Sequence, residues 1–451
     1  MATTATRPNP HPHILVFPYP AQGHMLALLN LTHQLALRGL TITILVTPKN
    51  LPFLSPLLSS HPPITPLVFP FPSHPLIPPG VEHVKDLGNS GNLPIMVALG
   101  KLHDPLVEWF DSHSEPPVAI VSDFFIGWTQ CLATRLQIPR LTFYSSGAFV
   151  ALKSLSEIEF GNLPGSPAFK QEHLPSLFKL YKPSDPDLEM IKDGHVANTK
   201  SWGCFINSFE DLEAEYVQWL KTHVGHNRVF SVGPLSLIGP DVSDRGNSGS
   251  VSEMNDQVLT WLDRCPDGSV VYVCFGSQKL LRKEQMEALA NGLEKSATRF
   301  IWVVKSGTTQ QQVEGFGVVP YGFEQRTAGQ GLVLNHKAVG GFLSHCGWNS
   351  VLEGIVSGVM ILAGPMEADQ FLNARLLVDN IGVGVRECEG ADSVPDSDEL
   401  GRAIAEFMTE GGGMKAKAKD LKDKALAAVS HGESSMKDLD RFVEELGQLG
   451  G

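Results

Sequence analysis

A chain of 451 residues is long enough for two domains with full hydrophobic cores, and 42% apolar with 18% charged residues is the composition of an ordinary soluble globular protein. The formal net charge of -13 argues against nucleic acid or an anionic membrane as a partner. No run approaches the roughly eighteen apolar residues of a membrane span, and the opening MATTATRPNPHPH places Pro and His where a signal peptide needs an apolar core, so a cytoplasmic protein is expected. Cys131, Cys204, Cys265, Cys274, Cys346 and Cys388 show no paired C-x-x-C spacing, which predicts reduced thiols rather than a disulfide framework or a zinc site.

His13 to Phe17 is an apolar, β-branched run. The turn Tyr19-Pro20-Ala21-Gln22-Gly23-His24 follows, then an amphipathic segment from Met25 to Leu37 closed by Gly39, and then the strand-like Leu40 to Val46. Strand, glycine-containing turn, helix and strand make a βαβ unit of a parallel sheet. Ligands bind at the carboxyl ends of such strands, where His24 falls. Residues 52–83, rich in Pro, Ser and His, are expected to be loop or short irregular turns over the sheet. The strand pattern recurs at Val118 to Asp123 and at Arg140 to Tyr144, which puts Asp123 at another strand end. Residues 155–200 are expected to cap a binding cleft. Cys204 to Glu213 reads as a strand end and helix start, and Arg228 to Leu235 runs into a Gly, Ser and Asp stretch, Asp241 to Ser252, that cannot bury a core and reads as a linker. A second α/β series begins at Val270 to Phe275 with Gly276-Ser277 at its carboxyl end, then a helix over Arg282 to Leu293 and a strand over Arg299 to Lys305. The chain closes on an amphipathic segment, Met436 to Leu446.

Gly340 to Gln370 is the densest chemistry in the chain. Phe342 to Ser344 reads as the end of a buried strand, Gly347 as a tight turn, and Trp348-Asn349-Ser350 as the opening of a helix. A helix N-terminus binds phosphate through unpaired N–H groups and the positive end of its dipole, and His345, Asn349 and Ser350 add donors. Glu353, one turn in, suits neutral hydroxyls such as those of a ribose, and Asp369-Gln370 suit a hexose. The string H-C-G-W-N-S-x-x-E, ending in Asp369-Gln370, resembles without a gap the C-terminal half of the signature box of the plant secondary-product glycosyltransferases, the family 1 type that uses UDP-sugars.

The resemblance implies a GT-B fold, two facing Rossmann-like α/β domains with parallel sheets. It divides the chain into an acceptor-binding domain over 1–235, a linker over 236–255, a UDP-sugar-binding domain over 256–433, and a helix over 434–451 that returns to the first domain. It further implies that His345, Asn349 and Ser350 hold the diphosphate with Ser277, that Glu353 holds the ribose, that Asp369 and Gln370 hold the sugar, and that Trp348 packs beneath it. His24 matches the family's catalytic base in its P-x-x-x-G-H pattern, and a histidine suits that task because its pKa lies near neutrality. Asp123 matches the aspartate that orients the imidazole. The expected reaction is an inverting transfer of a sugar from a UDP-sugar co-substrate to a hydroxyl of a flavonoid or other small phenolic by a monomer. Gln370 favours UDP-glucose, with xylose, rhamnose and galactose the other sugars the family uses. No metal-ligand cluster accompanies these residues, so neither a metal nor another cofactor is expected.

The box also departs from the family pattern. Its W-A-P-Q opening, whose Trp stacks on uracil, is absent. Either about ten residues are missing between Leu334 and His336, or Thr327-Ala328-Gly329-Gln330 occupy the place without a Trp. On the first alignment Gly331 to Leu334 corresponds to a strand beside Phe342 to Ser344, and the six residues between Leu334 and Gly341 are too few for a parallel crossover, so either that strand is displaced or unravelled or the connection is stretched across the uracil pocket. A second departure is Gly364, where the family usually has Trp. The competing reading is therefore a catalytically impaired relic, or a small-molecule-binding protein, that keeps the acceptor site.

Overall fold

Parallel strands must be joined by crossovers, and a helix in each crossover covers the sheet on both faces. The computed structural model, which describes residues 12–61, 63–154, 181–240, 252–276, 279–305, 307–320 and 333–449, builds two such sheets. The first contains β1 (His13–Phe17), β2 (Thr41–Val46), β3 (Ile64–Val68), β4 (Ala119–Asp123), β5 (Arg140–Tyr144), β6 (Gly203–Ile206) and β7 (Val229–Ser231) in the order β3-β2-β1-β4-β5-β6-β7. The second contains β8 (Val270–Cys274), β9 (Arg299–Val303), β10 (Val339–Ser344), β11 (Met360–Ala363) and β12 (Gly384–Arg386) in the order β12-β11-β10-β8-β9.

The chain divides into two units: residues 12–154, 181–240 and 427–449 form one, and residues 252–426 the other. In the first, alternate strand residues put Ile14, Val16, Ile42, Ile44, Val121, Leu141 and Phe143 on one face. They pack against Leu28, Leu31 and Leu35 of the helix Gln22–Leu37 and against Leu439, Phe442 and Leu446 of the helix Ser434–Leu449. In the second unit, Val271, Val273, Leu343 and Leu362 pack on Met286, Leu289 and Leu293 of the helix Lys283–Lys295, while Tyr272, Ile301 and Phe342 face the opposite layer.

Both sheets reverse their winding once. In the first the reversal lies between the paired strands β1 and β4, and in the second between β8 and β10. A crevice opens at the carboxyl ends of the strands at such a switch point, because the two crossovers leave in opposite directions. His24 and Asp123 follow β1 and end β4; Gly276 and His345 follow β8 and β10.

Two expectations need correction, and a third choice is decided. Residues 52–83 are not all loop and short turns: besides most of a 3₁₀ turn (Leu51–Leu54) they hold a short helix (Ser55–Ser60) and the edge strand β3. Residues 252–255 belong to the helix Ser252–Leu262 rather than to a linker. Val333 and Leu334 are helical, not extended, and both places beside β10 are taken by β8 and β11. The family's strand thus has no seat beside Phe342, the first of the two outcomes expected of so short a connection. Instead the side chains of Val333 and Leu334 are buried with Leu262, Ile301 and Phe342. Gly331, Leu332 and the Thr327 to Gln330 alternative lie outside the described residues, as does Ser277.

Candidate active site

His24 sits in the first turn of the helix Gln22–Leu37, directly after the β1 turn. Its Nδ1 lies 2.9 Å from Asp123 Oδ2, with the imidazole 20% exposed and the carboxylate fully buried. A carboxylate only accepts, so Nδ1 carries the proton and in the neutral ring Nε2 carries the lone pair. The second oxygen of Asp123 accepts from the Phe125 backbone N–H at 2.9 Å, which fixes the carboxylate. Phe124 stacks on the imidazole with ring centres 5.4 Å apart and an interplanar angle of 17°, and Phe125 and Tyr19 pack at 4.6 and 5.4 Å.

Several residues around this pair carry no signal in the sequence. The helix Pro186–Asn198 lies against the loop after β4 so closely that a Cβ on Gly127 would fall 1.9 Å from the carbonyl oxygen of Gly194. That approach brings in His195, buried beside Phe124 and Phe125, whose pKa burial pushes down to about 4 against the pull of Asp123. The same helix supplies Asn198, and β5 supplies the buried Arg140. Tyr19 is buried, with its hydroxyl bound to Asn92 Oδ1 at 2.9 Å and its pKa raised by burial and by Asp123.

In the second unit the turn after β10 is built around one ring. The Nε2 of His345 occupies a slot between two glycines: a Cβ on Gly276 would meet it at 2.6 Å and a Cβ on Gly347 at 2.7 Å. Gly347 is therefore needed for space and not for a left-handed turn, since its φ is -60° and the left-handed residue is Cys346 at +63°. Burial pushes the His345 pKa down to about 4, so the ring is neutral near pH 7 and can donate one hydrogen bond without adding charge. The helix Trp348–Ser357 begins at Gly347, and no side chain caps it. An anion at this end would meet first-turn N–H groups and the helix dipole. Trp348 and Ser350 are buried, while Asn349 and Glu353 are half-buried.

Asn373, which sequence reasoning passed over, ties the box together. Its Nδ2 donates to the carbonyl of Cys346 and to Asp369 Oδ2, both at 2.9 Å. The oxygen of Gln370 accepts from the backbone N–H of Met366 at 2.9 Å and of Glu367 at 3.0 Å, which fixes the side-chain amide. Gly364 borders a small cavity lined by Phe275, Leu289, Leu343, Met366 and Leu400. Among the described residues no three His, Cys, Asp or Glu side chains are arranged to hold a metal ion, and no helix is long and apolar enough to cross a membrane.

Residues 250–407 match the family described as UDP-glucoronosyl and UDP-glucosyl transferase. The chain is 53% identical over 461 positions to UDP-glycosyltransferase 89A2 of Arabidopsis thaliana, covering 96% of each. It is 48% identical to the flavonol 3-O-glucosyltransferase UGT89B1 of the same plant, covering 97% of each. The crystal structure of Arabidopsis thaliana UGT89C1 complexed with UDP-L-rhamnose superposes with a TM-score of 0.80 at 40% identity, over 97% of this chain and 99% of that one. Two doubly wound sheets, a histidine and aspartate paired at one switch point, and an uncapped helix with its histidine at the other agree with those similarities: the chain belongs to the plant family 1 UDP-glycosyltransferases and has their GT-B fold.

Proposed function

We propose that this UDP-glycosyltransferase moves glucose from UDP-glucose to a hydroxyl of a flavonol or related small phenolic, with inversion to a β-O-glycoside. The His24–Asp123 pair carries the reading. His24 Nε2 takes the acceptor proton as the phenolic oxygen attacks the anomeric carbon, and Asp123 stabilises the imidazolium that forms. The departing diphosphate gathers charge, which the N-terminus of the helix Trp348–Ser357 and the donors of His345, Asn349, Ser350 and Ser277 offset. Glu353 binds the ribose, Asp369 and the amide of Gln370 bind the sugar hydroxyls, and Trp348 packs beneath them. His24→Ala is expected to lower kcat on a phenol of ordinary acidity by about a hundredfold or more while leaving UDP affinity unchanged. Asp123→Asn should lower kcat with a smaller effect on the donor. Turnover rates with quercetin, measured beside UDP titration calorimetry, check both; full turnover by His24→Ala removes it from the mechanism.

A second reading, that donor binding is weakened, is favoured by one observation. An alignment of 461 positions on a chain of 451 residues requires residues in the relative that have no counterpart here. Absence of the W-A-P-Q segment accounts for such a shortfall and leaves uracil without its aromatic platform. By analogy with base stacking on aromatic side chains, that contact is worth on the order of 1 to 3 kcal/mol, or roughly ten- to a hundredfold in affinity. Inserting a family-like segment after Leu334 is expected to tighten UDP binding by that factor and to raise turnover. Equal affinity in the native and restored chains would sink this second reading and leave the first intact.

A further inference from the structure

Arg140, the first residue of β5, is fully buried, and among the described residues no carboxylate lies within ion-pair distance of it. Its guanidinium is held by neutral acceptors. Nε donates to Ser122 Oγ at 2.8 Å, and Nη1 donates to Thr142 Oγ1, Asn198 Oδ1 and Ser201 Oγ, each at 2.9 Å. Nη2 reaches the backbone carbonyl of Asp123 at 3.4 Å. Asn198 in turn donates from Nδ2 to the carbonyl of Phe124 at 2.9 Å. Ser122 Oγ is shared with Thr129 Oγ1 at 2.7 Å, and Thr129 donates to the carbonyl of Ile126 at 2.8 Å. The segment Ser122 to Ile126 is thus held from below at four points by one connected polar network.

That segment carries the Asp123 carboxylate and the Phe124 ring that stacks on His24. A buried cation without a carboxylate partner is costly unless every donor is satisfied. Here the expense secures the backbone on which the carboxylate stands and places a positive charge near it. Burial lowers the Arg140 pKa to about 10, which leaves the guanidinium charged near neutral pH, and Asp123 opposes that lowering. Fork geometry matters as much as charge, because one planar group reaches two strands and, through Asn198, the helix Pro186–Asn198.

We propose that Arg140, together with Asn198, is a positioning residue for transfer: it holds Asp123 and Phe124 so that His24 keeps its Nδ1–H form and presents Nε2 to the acceptor. This rests on the reading of His24 as the base. Arg140 touches neither His24 nor the reacting atoms.

The test is ring-nitrogen NMR on the full chain labelled with ¹⁵N-histidine, with the His24 signals assigned by their loss in His24→Ala. The native protein shows His24 as the Nδ1–H tautomer. In Arg140→Met and in Asn198→Ala the His24 signals shift toward the Nε2–H form preferred by a free imidazole. In parallel, kcat falls about ten- to a hundredfold with the KM for UDP-sugar unchanged, the size expected when a reacting group is slightly misplaced. A native tautomer in a folded Arg140→Met, or a native tautomer with undiminished kcat in Asn198→Ala, overturns the proposal. If Arg140→Met does not fold, Asn198→Ala decides alone. A native protein in which His24 is not Nδ1–H overturns the dyad itself, a different failure from loss of its support.

Discussion

One nitrogen of His345 decides how little room the turn after β10 allows. It lies in a slot whose walls are the absent side chains of Gly276 and Gly347. Gly276 has φ +79° and would strain any L-residue, so its substitution mixes two effects. Gly347 has φ -60°, which alanine adopts freely, yet the added Cβ would stand 2.7 Å from Nε2. Gly347→Ala must therefore displace the ring or the helix start, and it is expected to weaken UDP binding about tenfold or more, equivalent to about 1.4 kcal/mol or more. Calorimetric titration with UDP checks this, and unchanged affinity would show that His345 does not touch the diphosphate. Nothing in the residue types foretold the reason for this glycine. Its place after a strand suggested a turn, and only the packed ring shows that its size is what matters.

Among the elements, the helix Ser434–Leu449 depends most visibly on tertiary partners. Its apolar positions recur at helical spacing, and Leu439, Phe442 and Leu446 are buried. Phe442 meets Phe205 edge-on at 4.8 Å and Phe230 at 5.7 Å. Asp438 accepts from the Ser231 N–H at 2.7 Å, Ser435 donates to the Gly233 carbonyl at 2.6 Å, and Arg441 donates to the carbonyls of Asn227 and Val229. The helix thus covers the β6 and β7 end of the first sheet. Phe442→Ala removes a fully buried ring from between two others and should cost about 3 to 5 kcal/mol, read as a lowered urea midpoint. A loss below about 1 kcal/mol would mean that the helix is not part of that core.

For the molecule as a whole, buried histidines set its tolerance of acid. Burial pushes both His83 and His195 down to about 4, with Lys85 adding to the effect at His83 and Asp123 opposing it at His195. In the unfolded chain each titrates near 6.5. The unfolded state therefore takes up protons first as pH falls. Stability is full above about pH 7 and is lost between 6.5 and 4, by on the order of 1 to 2 kcal/mol per histidine at pH 5. Unfolding free energies at pH 7 and pH 5 measure the slope, and the double variant His83→Gln, His195→Gln should reduce it, while the equally lowered His345 keeps its own share.

The residues by themselves determined the local chemistry. Short, nearly continuous apolar runs gave most strands, because a strand buried on both faces must be apolar almost throughout, as in LTITILV and VVYVCF. The contiguous box from His345 to Gln370 gave the family, and with it the pairing of His24 with Asp123 across 99 residues. What only the tertiary structure decided is whatever depends on strand order. Sequence order placed the segment before His336 next to β10, whereas β8 returns to that place because the sheet reverses its winding there. Arg140, Asn198, His195 and Asn373 were illegible for the same reason. Each is an ordinary polar residue in its own neighbourhood, and each acquires its decisive partners only when separate segments, 74 residues away in the case of Asn198 and Phe124, are folded against it in a space that excludes water.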